Sequence, residues 1–289
     1  NTQTNSLSVE TGAPGDVSIT QSGAATLDVV KVFVMDGSFT LTHAGGSVIL
    51  QSVELATDRD SNDVSVTAGG DIQVGWIKAG TYDTSGSTAR SSVGDVSLIS
   101  GGSVTELSLD AEVDVIADDL TISAVSGISG LELAVNELLS LTTTNGNIEV
   151  NDQDGAGEEY EGLLITKAWA NNGSVNISAQ KTLDVRSVVS TGGRLYLTST
   201  QADLVIASSA LSYNATSGFA LNAARVLNSG TLYTTAGHIE YRAGKGFDGA
   251  LSDYKTTNFS ADTIILELGP GLKILGTLTA TSLVELVTR

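Results

Sequence analysis

Carboxylates are the side chains in this sequence best equipped for chemistry, and two short runs concentrate them. In Asp58-Arg59-Asp60-Ser61-Asn62-Asp63, the residues Asp58, Asp60, Asn62 and Asp63 supply acidic or amide oxygens. In the run from Asp152 to Glu159, the candidate ligands are Asp152, Asp154 and Glu159, spaced around Gly155 and Gly157. Oxygens alternating around a turn can wrap a hard cation, so both runs are candidate Ca2+ sites. Neither has the twelve-residue EF-hand spacing or the glycine-rich nonapeptide of calcium β-rolls, and a solvated acidic loop is the plainer expectation for each. A third set, Asp16, Asp63, Asp71 and Asp95, recurs at matching positions of a repeated phrase. Carboxylates from neighbouring turns, gathered in one groove with a Lys or Arg, would equip an enzyme that cuts acidic polysaccharides. A short acceptor that closes a corner against nearby backbone amides is the simpler role, and it is the one expected here.

Other reactive groups are sparse. The two histidines, His43 and His238, are far apart in sequence. His43 is in phase with Phe39 and Leu41 and is expected at an inward or corner position, whereas His238 is out of phase with Ile239 and Tyr241 and is expected to face solvent. No Gly-x-Ser-x-Gly nucleophile motif is present. The chain is therefore read as non-enzymatic, with no cofactor beyond the candidate Ca2+. Asn-x-Ser/Thr sequons at Asn172, Asn176, Asn214 and Asn258 are candidate glycosylation sites where the source modifies asparagine. Trp76, Trp169 and the scattered tyrosines could stack on sugars, although isolated surface aromatics need no such role.

Composition narrows the partners. Lys and Arg total 14 against 33 Asp and Glu, a net charge of -19. That balance argues against nucleic acid, whose phosphates are bound by Lys and Arg displacing counterions, and against anionic membranes, so neither is expected as a partner. Cysteine is absent, so disulfides and thiolate metal sites are excluded. The sequence has no apolar run of membrane-spanning length and opens on Asn1 without a signal peptide, so a mature product or a fragment is expected. Hydrophobic residues reach 41% but aromatics only 5%, so the core must be built from Val, Ile, Leu and Ala, with Ser and Thr outside.

Those side chains are carried by a recurring cassette, Gly-(Asp/Ser/Asn)-(Val/Ile)-x-(Val/Ile/Leu). It reads Gly15-Asp16-Val17-Ser18-Ile19, Gly46-Ser47-Val48-Ile49-Leu50, Gly70-Asp71-Ile72-Gln73-Val74, Gly94-Asp95-Val96-Ser97-Leu98, Gly146-Asn147-Ile148-Glu149-Val150 and Gly173-Ser174-Val175-Asn176-Ile177. Glycine is expected to supply positive φ at a corner, and period-2 alternation then sends apolar residues inward. Units beginning at Asp16, Ser38, Asp63 and Asp95 mark a repeat architecture of short strands without helices. The expected fold is all-β: a parallel β-helix of roughly a dozen coils, on the order of 60 Å long at about 4.8 Å per coil. The phrase DVSVTAGGDIQV, Asp63–Val74, is read as two successive sides of one coil with Gly69-Gly70 as a corner, and Leu131–Leu139 as strand. Residues 1–14 form a polar leading segment and 15–289 a single domain, with loop insertions near 82–93, 151–162 and 244–258. The rival is a β-sandwich array, which would show antiparallel hairpins.

The runs DVSVTAGGDIQV, DVSLISGGSVTEL, NGSVNISAQKTLDV and STGGRLYLTS resemble the repeats of filamentous-haemagglutinin-like large bacterial exoproteins. The resemblance covers most of residues 15–280. It implies a right-handed parallel β-helix, export, and use as a surface adhesin or filament. The expected function is a non-enzymatic extracellular stalk or filament subunit on the cell surface or in the matrix. Its partners would be copies of itself end to end, because strand pattern persists through Thr277–Arg289, and host or matrix carbohydrate or protein. The alternatives are a β-helix polysaccharide lyase or hydrolase and a phage tail-fibre module.

Overall fold

The computed structural model describes residues 5–80, 92–153, 162–207, 213–215, 217–223, 225–228, 231–234, 238–243, 258–268 and 278–288. Alternation of apolar and hydroxyl side chains makes the strands. In β7 (Val64–Ala68), Val64, Val66 and Ala68 are buried while Ser65 and Thr67 turn outward. Twenty-eight strands run from β1 (Ser6–Glu10) to β28 (Leu278–Thr288), and every pairing among the described strands is parallel.

Over much of the chain a strand pairs with the strand three places along, and the offset falls to one or two where a long strand, such as β3 (Leu27–Val34) or β13 (Gly127–Thr143), runs along two sides of a turn. The first face stacks β4 (Phe39–His43), β7 and β10 (Val96–Ser100). The second stacks β5 (Val48–Leu50), β8 (Ile72–Val74) and β11 (Ser103–Glu106), and the third stacks β6 (Val53–Leu55), β9 (Ile77–Lys78) and β12 (Val115–Ala124). This is a three-sided parallel β-solenoid. The phrase Asp63–Val74 is thus two sides of one coil, since β7 and β8 pair with different neighbours. The antiparallel hairpins of a sandwich do not occur among the described strands. Leu131–Leu139 lies within β13 (Gly127–Thr143), in agreement with the strand reading.

In-register stacking gives the core its shape. Val17, Phe39, Val64, Val96 and Leu120 form one inward rank, and Ile19, Leu41, Val66, Leu98 and Ile122 form the next. Among the described residues, Phe39 and Phe219 are the two aromatics in the buried core, and Val, Ile, Leu and Ala supply the rest. Backbone contacts between successive corners span 22, 25, 32 and 24 residues. The expected dozen coils is a correction: the solenoid has about eight turns, or roughly 40 Å at about 4.8 Å per turn. Part of the difference is chain spent outside the regular coil, as in the step of 32 residues from Asp63 to Asp95.

The corner glycines also depart from expectation. None of Gly46, Gly70, Gly94, Gly146, Gly173 and Gly193 has a left-handed φ; Gly15, at φ 149°, is the cassette glycine that does. What the others supply is space. A methyl at Gly46 would lie 2.7 Å from the Ala25 carbonyl and 2.8 Å from His43 Nε2, and one at Gly173 would overlap the Gly146 carbonyl of the preceding turn. Close stacking of backbone on backbone excludes Cβ at these corners.

Of the leading segment, Ser6–Glu10 forms β1 and pairs with β3 (Leu27–Val34). Most of the three expected insertions lies outside the described residues. Val93 is buried, and Asn151 and Asp152 end strand β14 (Ile148–Asp152).

Candidate functional site

The repeated carboxylates line up along one corner. Ser38 N–H donates to Asp16 Oδ1 at 2.9 Å, Asp63 N–H to Ser38 Oγ at 3.0 Å, Asp95 N–H to Asp63 Oδ1 at 3.1 Å and Asp119 N–H to Asp95 Oδ1 at 3.2 Å. A second corner repeats the device. Asp71 N–H donates to Ser47 Oγ at 3.0 Å, and Asp71 Oδ1 accepts from Ser103 N–H at 2.7 Å and from Ser103 Oγ at 2.9 Å. Farther on, Asn147 Oδ1 accepts from Ser174 N–H and Ser174 Oγ from Arg194 N–H. The cassette acceptor therefore binds the backbone of the next turn rather than closing its own, and the geometry is one of structural acceptors. Replacing Asp71 by Ala is expected to cost about 0.5–1.5 kcal/mol, since Ser103 loses an acceptor at an exposed corner, whereas Asp71→Asn keeps an acceptor and costs less than half of that. Thermal unfolding of the two variants checks this; equal losses would exclude the acceptor role.

Inside the coil a complementary rank satisfies the turn carbonyls. His43, Ala68, Ser100, Ala124, Thr143, Ala170 and Ser190 stack in register. Ser100 Oγ donates to Gly70 O, Thr143 Oγ1 to Gly146 O and Ser190 Oγ to Gly173 O. His43, buried as its phase predicts, places Nε2 2.8 Å from Ala25 O and fills the room left by Gly46.

Asp60, Asp95 and Asp118 bring carboxylate oxygens from three turns within 4.8 Å of one another. Of the Ca2+ candidates at 58–63, only Asp60 joins this group. Asn62 is turned in and donates to Asp36 Oδ1 and Thr57 Oγ1, while Arg59 pairs with Asp36 at 3.1 Å. Asp63 and Asp95 instead flank a shallow groove of about 290 Å³, with Asp119, Ser65, Ser97 and Thr121. Burial pushes the Asp95 carboxyl above the usual range, with the charges of Asp63, Asp118 and Asp60 adding to it. Burial, then the charges of Asp95 and Asp118, push Asp119 up to about 6.

A second acidic group, Glu106, Asp114 and Glu132, lies at the corner between the second and third faces. Glu106 Oε1 accepts from Asp110 N–H and Asp114 Oδ2 from Glu132 N–H, both at 2.9 Å. Burial first, then the neighbouring Glu106 and Glu132 charges, push Asp114 up to about 8. Sequence reasoning missed both groups. The signal for one was present: a further step of 24 residues beyond Asp95 reaches Asp119, in the phrase Asp118-Asp119-Leu120-Thr121-Ile122, which lacks the cassette glycine.

The remaining candidates are dispersed. Asp152 is fully buried at the end of β14, in rank with Leu133 and Ala179, and its Oδ1 accepts from Val135 N–H at 3.4 Å. Asp154 and Glu159 lie outside the described residues. Asn172 and Asn176 are exposed; Asn172 adopts φ 56° and donates its side-chain amide to Asn145 Oδ1. Asn214 and Asn258 lie in strands whose side chains are outside the described set, as does the His238 side chain. Trp169 is exposed with Lys167 Nζ 4.5 Å from its ring, and Tyr196 is exposed with the Arg194 guanidinium 5.1 Å away. Their strands, β16 (Ala168–Ala170) and β20 (Leu195–Ser199), do not pair. The outward face of β2 (Val17–Gln21), β4, β7, β10 and β12 carries ranked hydroxyls: Ser18, Thr40, Ser65, Ser97 and Thr121 in one line.

Fold and side chains together define a repeat protein of the parallel β-solenoid class, its turns tied by stacked corner acceptors. No protein-family model matches the chain, and no curated protein or solved structure matches it. No described helix is long and apolar enough to cross a membrane.

Proposed function

We propose that this chain is a non-enzymatic structural solenoid that acts outside the cell, as a stalk or head-to-tail filament subunit of filamentous-haemagglutinin-like character. The observation that carries this reading is the unbroken stack of parallel turns, in which the repeated carboxylates hold backbone amides instead of converging on a substrate. Among the described strands, β1 pairs with β3 and β28 with β27 (Asn258–Leu268), and end-to-end joining of two copies would continue these parallel ladders. The ranked hydroxyls and the exposed Trp169 and Tyr196 are the surface offered to matrix carbohydrate or protein.

A polysaccharide-cleaving reading draws on the groove at Asp63, Asp95 and Asp119, which does gather carboxylates from three turns. Two of those three accept backbone hydrogen bonds from the next turn, and no basic residue among the described ones lines the groove. Electron microscopy with light scattering tests the proposal. Rods that join end to end with rising concentration are expected. A strictly monomeric particle at every concentration, or turnover of an acidic polysaccharide that is lost in Asp119→Asn, would reject it.

A further inference from the structure

One corner of the solenoid carries an asparagine-glycine pair on each of two consecutive turns, Asn145-Gly146 and Asn172-Gly173. The strands on either side stack in register, Thr143 on Ala170 and Ile148 on Val175, so one pair lies directly above the other. Both asparagines are exposed. The fold imposes the glycines, since a Cβ at Gly146 would overlap the Ser126 carbonyl of the turn before, and one at Gly173 the Gly146 carbonyl. Earlier turns use the amide at this position to hold the coil. Gly70 N–H donates to Gly46 O at 2.9 Å, Gly102 N–H to Gly70 O at 3.2 Å and Ser126 N–H to Gly102 O at 2.9 Å. The series breaks at Gly146, whose N–H has no acceptor among the described residues. The Asn145 side chain beside it is polarised from the next turn, because Asn172 Nδ2 donates to Asn145 Oδ1 at 3.0 Å. One turn farther on, Gly192 takes the place of Asn172, so no side-chain amide there reaches the Asn172 carbonyl.

We propose that Asn145 is a site of spontaneous deamidation, in which the Gly146 backbone nitrogen attacks the Asn145 side-chain amide and the Asn172 amide steadies the oxygen that becomes negative. The attack is intramolecular, and glycine adds no side chain to obstruct it. The Gly146 nitrogen gives up its proton to hydroxide and bonds to Asn145 Cγ. Negative charge then collects on Oδ1, where the Asn172 N–H already donates. The Cγ–Nδ2 bond breaks, ammonia leaves with a proton taken from water, hydroxide is restored, and a succinimide ring remains. Water opens the ring at Cγ to give aspartate, or at the Asn145 backbone carbonyl carbon to give isoaspartate. In sum water is consumed and ammonia released, with no oxidant and no metal. Either product sets a new carboxylate at this corner. Isoaspartate also lengthens the main chain where successive turns stack too closely to admit a Cβ.

Incubation of the native protein at mildly alkaline pH, followed by peptide mass mapping and enzymatic isoaspartyl methylation, tests the site. Asn145 is expected to convert to a mixture of aspartate and isoaspartate ahead of Asn172, the same dipeptide in the same chain, at a rate that rises with pH. Asn172→Asp keeps the side-chain shape but puts an acceptor where the donor was. Asn172→Gly removes the donor and suits the left-handed φ of 56° at that position. Each variant, with its fold checked by circular dichroism, is expected to slow conversion at Asn145 about three- to tenfold, the worth of one neutral hydrogen bond. An Asn145 that stays intact, or that converts only after Asn172, overturns the proposal, and so does a rate at Asn145 unchanged in both variants.

Discussion

Acidification from about pH 8 to about pH 5 is expected to raise the melting temperature by several degrees. Asp114 drives the effect. Its burial, reinforced by Glu106 and Glu132, lifts its carboxyl from 3.8 to about 8 in the folded chain. Between those two values the folded state keeps a proton that the unfolded chain has released. Folding then takes up a proton, and each rise in pH favours unfolding until about pH 8, beyond which both states are ionised and the slope vanishes. Asp119, pushed up to about 6, adds to the slope in its lower part. Asp95 and Glu132, both raised by burial, act in the same direction. Asp36 acts the other way. The Asn62 hydrogen bond holds its carboxyl below the ordinary 3.8, so its contribution is present at and above that pH and is lost as the pH falls through its folded value. The stability maximum is therefore expected near pH 4, where the gain from Asp114 levels off and the loss at Asp36 begins. Asp114→Asn needs no proton to stay neutral and can still accept from Glu132 N–H, so it should flatten the profile and raise the melting temperature near pH 8. A native profile without slope over this range, or an Asp114→Asn profile of native slope, would rule the account out.

The largest single loss of stability is expected from Phe39→Ala, at about 3–5 kcal/mol. Phe39 is fully buried, and its rank neighbours Val17, Val64 and Val96 are too short to fill the space it leaves. Phe39→Leu, which keeps most of the volume, should cost less than half as much. A solenoid turn touches only its neighbours, so the damage should stay local. Amide exchange should quicken in β2, β4 and β7 while β17 (Val175–Ala179) and β20 keep their protection. Thr40, on the outward face of the same strand, provides the comparison: a Phe39→Ala melting temperature no lower than that of Thr40→Ala would contradict this account of the core.

Much of the fold was legible because its determinants repeat. Val64, Val66, Ile72 and Val74 alternate with polar residues on both sides of Gly69-Gly70, and that local pattern is the coil itself. The spacings from Asp16 to Ser38, Asp63 and Asp95 recur as the reaches of the corner hydrogen bonds. The clusters were not legible in the same way. Asp60, Asp95 and Asp118 meet because loop 58–63 folds back over a corner whose other members lie one and two turns on, and no local run contains that contact. Asn62 and Asp152 were legible as polar but not as inward. Both sit among polar neighbours in sequence, yet Asn62 fills a pocket beside Thr57 and Asp36, and Asp152 ends a strand whose alternation carries it into the core. Composition described the core well, since alternation demands small branched side chains and the sequence has few alternatives.

Along this corner the side-chain acceptors belong to the earlier turn, while backbone carbonyls of the later turn accept from the earlier one, as Phe39 N–H donates to Asp63 O and Val64 N–H to Asp95 O. Asp16 receives the amide of Ser38, Ser38 that of Asp63, Asp63 that of Asp95 and Asp95 that of Asp119. Each completed turn is thus a mould that presents its side-chain oxygens before the segment that needs them has arrived. A chain delivered N-terminus first, through a ribosome tunnel or a secretion pore, can wind onto its own growing face without waiting for its C-terminal half.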